Sequence, residues 1–530
     1  MITFDSLTLK AFLKEESNFL TGARINKIQQ PTRREFIFTL RNNSETRQFY
    51  VNINPQNYHL CFMSKSNTEK RLLEIPQKPP MFCMLLRKYL GNSRITKINQ
   101  PEHERILEFF IETYNELGDK IFLCLAFELM GKHSNVVLYN DDTNIILGCA
   151  HNVGAEKSRE REMYGGIPYI YPPKQQKQDL INYYGEIDFE NLSNEFFDIS
   201  NNFANQCKNE TLDKLKHYIS LSELSPCISK DFKDYSLFSE LISAPLIYNS
   251  VNEMIDDYYA YYISKDKFKQ LKTQYASIIT QKLKKVSKSL KQMQYQIAQN
   301  TNSGKYRLWG DLIMANLYNL KDYTPQISVF DYENNKQIQI DLDKSKTLKD
   351  NANKFYKLYN KAKTSNSKLS ELSETYFITK NYLEQLLYSI NSAETIQDLF
   401  ELTDEITETK TDKKQKHQAI DPIKIELENE TRIFIGKNNK QNDYIISKLA
   451  DDEDLWFHTK DCAGSHVLLK TQKLTDELIL QCANLAKQYS SAKDSSKIGV
   501  IYTKRKYLRK PPKANLGYVT YKNEKEIIID

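Results

Sequence analysis

The stretch FKQLKTQYASIITQKLKKVSKSLKQMQYQI, Phe268 to Ile297, decides how this chain is built. Within it Phe268, Leu271, Tyr275, Ile279, Leu283, Val286, Leu290, Met293 and Ile297 recur at intervals of three and four, along one seam of a helix. That is coiled-coil spacing. Between Leu271 and Leu283 every step is four, a stutter that relaxes the supercoil locally. A second seam, Leu348, Ala352, Phe355, Tyr359 and Ala362, resumes at Leu369, Leu372 and Tyr376 after a weak heptad near Ser365 to Ser367. Two seams either side of a short insert predict an antiparallel helical hairpin whose ends meet at its base. Roughly thirty residues of helix rise about 45 Å, so a projecting arm is expected between globular modules. The same rhythm also fits a helical pair inside a large α domain; the Lys and Gln outside the seam favour the arm.

Charge agrees with exposure. Lys265, Lys267, Lys269, Lys272, Lys282, Lys284, Lys285, Lys288 and Lys291 share a stretch whose only acid is Asp266. Such a strip attracts phosphate, and Lys282 and Lys285 are taken as candidate RNA contacts. The plainer reading is a solvated helix face.

With 530 residues and 40% hydrophobic content the chain has room for several ordinary domains. A net charge of +6 is mildly basic, so any nucleic-acid surface is local. The eight cysteines form no C-x-x-C pair and no Cys/His cluster at zinc spacing, and read as free thiols of a reducing cytosol. Neither a metal nor another cofactor is expected. The first residues lack a signal-peptide pattern, and the longest apolar run, Ile121 to Met130, carries Glu128 and is too short to span a bilayer. A soluble, cytoplasmic protein without membrane partners is the expectation.

Taken in order, residues 1–175 read as one mixed α and β domain. A helix around Leu7 to Leu13 precedes strands at Ile25 to Gln29, Glu35 to Leu40 and Gln48 to Ile53. A helix near Pro80 to Tyr89 leads into strands at Arg94 to Ile98, Arg105 to Ile111, Lys120 to Phe127 and Asn135 to Tyr139, in the alternation of an antiparallel sheet. Residues 176–255 switch to helical spacing. There the Ser-Pro turn of Leu221 to Pro226 is compatible with a helix-turn-helix-type phosphate clamp, or with a mere connector. Residues 256–410 hold the coiled-coil arms with the insert at 301–345, and Thr403 to His417 reads as a polar linker. The last module, 411–530, reads as strands at Ile423 to Leu427, Arg432 to Ile435, Leu455 to Thr459, His466 to Lys470, Gly499 to Thr503 and Glu526 to Ile529. Helices at Asp443 to Leu449 and Thr475 to Tyr489 complete it. Near its end Lys504, Arg505, Lys506, Arg509, Lys510 and Lys513, interleaved with Tyr502 and Tyr507, offer phosphate contacts and stacking surfaces.

Several motifs carry a resemblance. Gly436-Lys437-Asn438-Asn439-Lys440-Gln441-Asn442-Asp443-Tyr444, Asp454-Leu455-Trp456-Phe457-His458, Ala463-Gly464-Ser465-His466-Val467, Lys510-Pro511-Pro512 and Gly517-Tyr518-Val519-Thr520-Tyr521 resemble the C-terminal NFACT-R domain. Glu128-Leu129-Met130-Gly131-Lys132-His133-Ser134-Asn135 and Gly166-Ile167-Pro168-Tyr169 resemble the NFACT-N domain. Trp309-Gly310-Asp311-Leu312-Ile313-Met314-Ala315-Asn316 is similar to the insert between that family's coils. The resemblance runs in register over the whole chain, to the RqcH/NEMF-type NFACT family, bacterial members of which were once named fibronectin-binding protein A. It implies an α+β multidomain fold: a glycosylase-like NFACT-N domain, a helical helix-hairpin-helix-like module, a long antiparallel coiled-coil hairpin and an α+β NFACT-R domain.

The resemblance also implies a ribosome quality-control factor that binds the large (50S) ribosomal subunit obstructed by peptidyl-tRNA. It would recruit tRNA, chiefly alanyl-tRNA, for C-terminal alanine tails, contact rRNA, and work with a small RqcP-like S4-domain protein. The family's Asp-Arg pair for tRNA engagement corresponds here to Glu104 and Arg105, with Glu one methylene longer than Asp. Arg105 retains bidentate phosphate chemistry. Glu128, Lys132 and His133 follow as tRNA-facing candidates, and Lys282, Lys285, Lys504, Arg505, Arg509 and Lys510 as rRNA contacts.

Enzyme readings find little support. His458, Asp461 and His466 suggest acid/base or metal chemistry, yet no nucleophile motif and no third metal ligand accompany them. Glycosylase chemistry needs an N-terminal proline amine where this chain has Ile2 and Thr3. No phosphate-binding loop is present, and peptide-bond formation is left to the ribosome. Two alternatives remain from other classes: a fibronectin-binding surface adhesin, and a DNA-binding or repair protein of glycosylase ancestry.

Overall fold

The computed structural model describes residues 4–114, 118–156, 158, 160–208, 210–331, 334–407, 421–428, 430–512 and 514–530. Ile2, Thr3, Lys513 and the greater part of the expected polar linker lie outside these. The chain divides into two compact units, Met1–Lys267 and Phe268–Asp530.

Asp5 starts the first unit by accepting the Thr8 backbone N–H at 2.8 Å, which caps helix α1 (Ser6–Leu20). Strands β1 (Arg24–Thr32), β2 (Glu35–Asn42), β3 (Glu45–Asn52) and β4 (His59–Phe62) follow, then α2 (Lys65–Arg71) and α3 (Met81–Leu90). Next come β5 (Arg94–Asn99), β6 (Ile106–Tyr114), β7 (Lys120–Glu128), β8 (Asn135–Asn140) and β9 (Ile146–Cys149). All nine join one antiparallel sheet in the order β4-β3-β2-β1-β5-β6-β7-β8-β9. Its two halves join where β1 meets β5, at the Arg24–Arg94 pairing and through backbone bonds that include Ile25 N–H to Ser93 O and Ile95 N–H to Ala23 O, both 2.9 Å. They face each other across aromatic contacts: Phe38 meets Phe127 at 5.6 Å between ring centroids, and Phe49 meets Phe109 at 5.5 Å. The expected strands are there; β4, β9 and α2 are additions.

Residues beyond the sheet depart from the helical expectation. Short helices α4 (Leu192–Glu195), α5 (Asn201–Gln206) and α6 (Leu212–Ser220) give way to a small sheet of β10 (Cys227–Ser229), β11 (Tyr235–Ser236) and β12 (Pro245–Ile247). The Ser-Pro turn therefore joins a helix to a strand, not helix to helix. Leu221 closes α6 in the left-handed region at φ 54°, and the Ser225 N–H pairs with Leu237 O, which commits the chain to the sheet. Helix α7 (Val251–Thr301) begins here, and residue 256 lies within it without a break. Its first turns are clamped: Asn252 pairs with both backbone groups of Phe62, and buried Asp256 binds Arg71 Nη1 at 2.5 Å.

In the second unit α8 (Gly304–Ala315), β13 (Gln326–Asp331) and β14 (Lys336–Asp341) form the insert, and Thr347 caps α9 (Leu348–Ser392). Trp309 packs on Phe355 at 5.3 Å, and Asp311 accepts the Tyr356 hydroxyl at 2.7 Å. A Cβ on Gly310 would stand 2.8 Å from the Tyr356 ring, which accounts for glycine inside that helix. The arms run antiparallel. Lys272 Nζ reaches Ala393 O at 2.8 Å and Asn300 Nδ2 reaches Ser365 Oγ at 3.5 Å, so 28 residues forward on α7 are 28 back along α9. Tyr275 and Ile279 share a buried cluster with Leu383, Leu386 and Ile390 at the base.

Helix α10 (Ile396–Glu401) follows, and α11 (Thr403–Thr407) stands where a linker was expected to begin; Ile406 is buried among the same base residues. The closing domain has β15 (Ile423–Glu426), β16 (Arg432–Ile435), α12 (Asn439–Tyr444), β17 (Leu455–Thr459), β18 (Val467–Lys470), α13 (Asp476–Gln488) and β19 (Ile498–Lys504). A minor pair, β20 (Leu508–Arg509) with β21 (Thr520–Tyr521), precedes β22 (Lys525–Ile529). The main sheet runs β15-β16-β18-β17-β19-β22, with α13 packed on one face. Among the described residues no helix is long and apolar enough to cross a membrane.

Candidate nucleic-acid interface

Two loops leave the same end of the β6–β7 pair because Ile106 of β6 pairs with Glu128 of β7. One carries His103-Glu104-Arg105, the other Gly131-Lys132-His133, and the Leu129 N–H donates to Arg105 O at 2.9 Å. Gly131 turns in the left-handed region at φ +62°, and a Cβ there would stand 3.7 Å from the Tyr58 ring. Tyr58 accepts a bond from Arg105 Nη1 at 3.0 Å, so the Arg105 guanidinium keeps other donors open. Beside it, His103 Nδ1 lies 2.8 Å from Asp198 and its ring stacks on Phe197 at 4.2 Å. Burial raises the Glu104 carboxyl, opposed by Arg105 and Arg161.

Glu128 is corrected from surface to interior. Its side chain is fully buried, held by Arg161 through bonds of 2.9 and 2.5 Å and by the Tyr169 hydroxyl at 2.9 Å. A buried carboxylate with those partners serves the fold beneath the loops rather than RNA directly. Lys132 and His133, by contrast, are exposed. They line a cavity of about 1150 Å³ together with Arg33, Arg34, His151 and Arg161. Among the described residues no acid lines it. Its apolar wall is Met81, Phe82, Leu85 and Leu147. Burial, then Arg34 and Arg33, lowers the His151 pKa, and its Nε2 is buried with no hydrogen-bond partner.

Arg33, Arg34, His151 and Arg161 escaped the sequence reading. Adjacent arginines at the turn between β1 and β2 were the available signal; nothing local marks Arg161, which depends on Glu128 thirty-three positions away.

The other basic candidates are largely engaged. Lys282 Nζ reaches Ile406 O at 3.2 Å, while Lys285 is exposed on α7. Lys504 and Lys506 both pair with Glu453, at 2.7 and 2.5 Å. Arg505 lies 3.8 Å from Asp452, and Lys510 pairs with Asp443. Arg509 is exposed on β20. Among the described residues no three His, Cys, Asp or Glu side chains are grouped to hold a metal ion.

Residues 5–209 and 186–422 match the family model described as NFACT N-terminal and middle domains, and 424–523 that of the NFACT protein RNA binding domain. The chain belongs to the NFACT family. It is 28% identical to the Bacillus subtilis protein named Rqc2 homolog RqcH, over 100% of this chain and 98% of that one. A Streptococcus pneumoniae protein of the same name is 28% identical over 99% of this chain and 97% of its own. The solved N-terminal part of the fibronectin/fibrinogen-binding protein from Streptococcus suis is 26% identical, with a TM-score of 0.43, covering 48% of this chain and 99% of that one. Membership in this NFACT group makes the chain a ribosome quality-control factor, with ribosome and RNA as partners.

Proposed function

We propose that the chain binds the large ribosomal subunit obstructed by peptidyl-tRNA and recruits tRNA, alanyl-tRNA first among candidates, for C-terminal alanine tailing. The observation that carries the tRNA assignment is the cavity lined by Arg33, Arg34, Lys132, His133, His151 and Arg161, with no acid among its described lining residues, next to the Arg105 loop. Exposed Arg33, Arg34 and Lys132 at a concave surface suit a phosphate backbone, and the apolar wall suits a base or ribose face. Exposed Lys285 and Arg509 remain the better rRNA candidates. A small S4-domain RNA-binding protein is the proposed companion, and the chain supplies binding and positioning while the ribosome forms the peptide bond.

Affinity capture of the tagged protein from its own cells, with sequencing of bound RNA and a gradient profile, tests this. Large-subunit rRNA with one enriched tRNA supports the proposal and names the tailing amino acid. DNA, or no nucleic acid, overturns it and returns the repair or adhesin alternatives.

A further inference from the structure

We propose that the face of the NFACT RNA-binding domain turned away from α13 is a stacking site for an unpaired RNA base, with His458 as its platform. Along β17 the side chains alternate. Leu455 and Phe457 enter the core with Cys482, Ala483 and Ala486 of α13. Trp456 and His458 point the other way, their rings parallel to 1° with centroids 5.8 Å apart. His466 stands edge-on to both, at 5.2 Å from Trp456 and 5.3 Å from His458. Tyr521 leans over Trp456 at 5.9 Å and is 38% exposed.

Trp456 and His466 are 1% and 4% exposed, so the half-buried His458 and the exposed Tyr521 are the members of this group that meet solvent. Two polar atoms in the layer beside it, Trp456 Nε1 and His466 Nδ1, are buried without hydrogen-bond partners. Burial lowers the pKa of His458 and holds that of His466 well down, so both rings are neutral and suited to stacking rather than to phosphate pairing. On the same domain Lys504, Lys506 and Lys510 are already paired with Glu453 and Asp443, and Lys460 with Glu526 at 2.8 Å. These four cations of a domain matched to RNA binding are thus compensated, while the rings of His458 and Tyr521 reach solvent. An unpaired base supplies a π-face that a duplex hides, which selects single-stranded RNA. Asp461, at an exposed left-handed turn, is not needed for this role. The site rests on the RNA-binding assignment of this domain and is separate from the tRNA reading of the first unit.

The chain has two tryptophans, Trp309 and Trp456, so Trp309→Phe leaves Trp456 as the sole reporter. Titration of this full-length variant with a short single-stranded oligoribonucleotide is expected to change Trp456 emission to saturation. His458→Ala should weaken that binding roughly tenfold, by a ratio that salt leaves unchanged, whereas His458→Phe should retain it. Tyr521→Ala, further from the core, should also weaken it. Adding Arg105→Ala should leave the signal intact, which separates this site from the tRNA surface. Unchanged affinity in His458→Ala and Tyr521→Ala overturns the proposal. So does equal binding of duplex RNA, or equal loss in His458→Phe and His458→Ala.

Discussion

Tyr169 donates its hydroxyl to Glu128 at 2.9 Å, joining two sequence motifs that lie forty-one positions apart. Arg161 completes the junction with a forked contact to the same carboxylate. The segment from Arg161 to Tyr171 is thereby strapped over the sheet, and Tyr171 adds a bond to buried Glu108 at 2.5 Å. Arg161→Met strands the Glu128 carboxylate in the interior. It should cost roughly 3–5 kcal/mol of first-unit stability and weaken tRNA capture as well. Denaturant titration together with filter binding checks this; full stability would show that the pair is not what holds the strap.

Arg105, on the loop that leads into β6, is half-exposed, so its truncation should cost little stability. Arg105→Ala is expected to abolish tRNA capture and tailing while ribosome binding on gradients persists. Arg105→Lys should rescue poorly, since an ammonium lacks the planar fork. Parallel loss of ribosome binding would show that Arg105 acts through folding or through the subunit.

Periodicity made most of this architecture legible. The seam from Phe268 to Ile297 and the alternation in β5 to β8 are patterns that burial of one face imposes on a sequence. The motifs around Glu104, Arg105, Lys132 and His133 lie on two loops that the β6–β7 pairing brings together. What sequence left hidden was carried by distant pairs. Glu128 read as a surface acid because its partner, Arg161, comes from a loop without periodic pattern, and the lysines near 504 read as free because Glu453 is supplied by another turn. The segment after Pro226 read as helix, but its strands are two or three residues long and too short to show a period of two.

Arg71 and Asp256 are both buried, and their contact fixes the root of α7 to α2. Asp256 also accepts from the Ser64 N–H at 2.9 Å and Asn67 Nδ2 at 2.8 Å, so the carboxylate is fully used. Removing the arginine alone leaves a buried charge. Arg71→Met should destabilise the first unit by roughly 3–5 kcal/mol, whereas joint replacement of Arg71 and Asp256 by apolar residues should recover part of it. Chemical denaturation of both variants checks this coupling.

Gly436 explains one NFACT-R motif. A Cβ there would fall 2.9 Å from the Asn442 backbone N and 2.2 Å from Asn442 Oδ1, the atom that accepts the His466 N–H at 3.0 Å. Backbone cannot give way as a flexible side chain can. Gly436→Ala should therefore cost about 1–3 kcal/mol and loosen the turn before α12, seen as faster amide exchange at His466.

His59 sets an acid limit on the first unit. Its ring is fully buried, stacked on Tyr259 at 4.0 Å, and Nδ1 lies 2.7 Å from Asn57 O, so that nitrogen carries the proton. Nε2 is buried with no partner, and a second proton would have to be held there without solvent. Burial, then Arg71, keeps the folded-state pKa well below the ordinary histidine value. Below about pH 6.5 the unfolded chain binds a proton that the native ring refuses, so stability is full above that pH and falls as pH drops. The expected slope is about 1.4 kcal/mol per pH unit from this residue. His59→Phe keeps the stack and removes the titration, so its melting temperature should fall less than that of the unaltered protein between about pH 7 and 5. Parallel melting curves over that window would show that the acid sensitivity arises elsewhere.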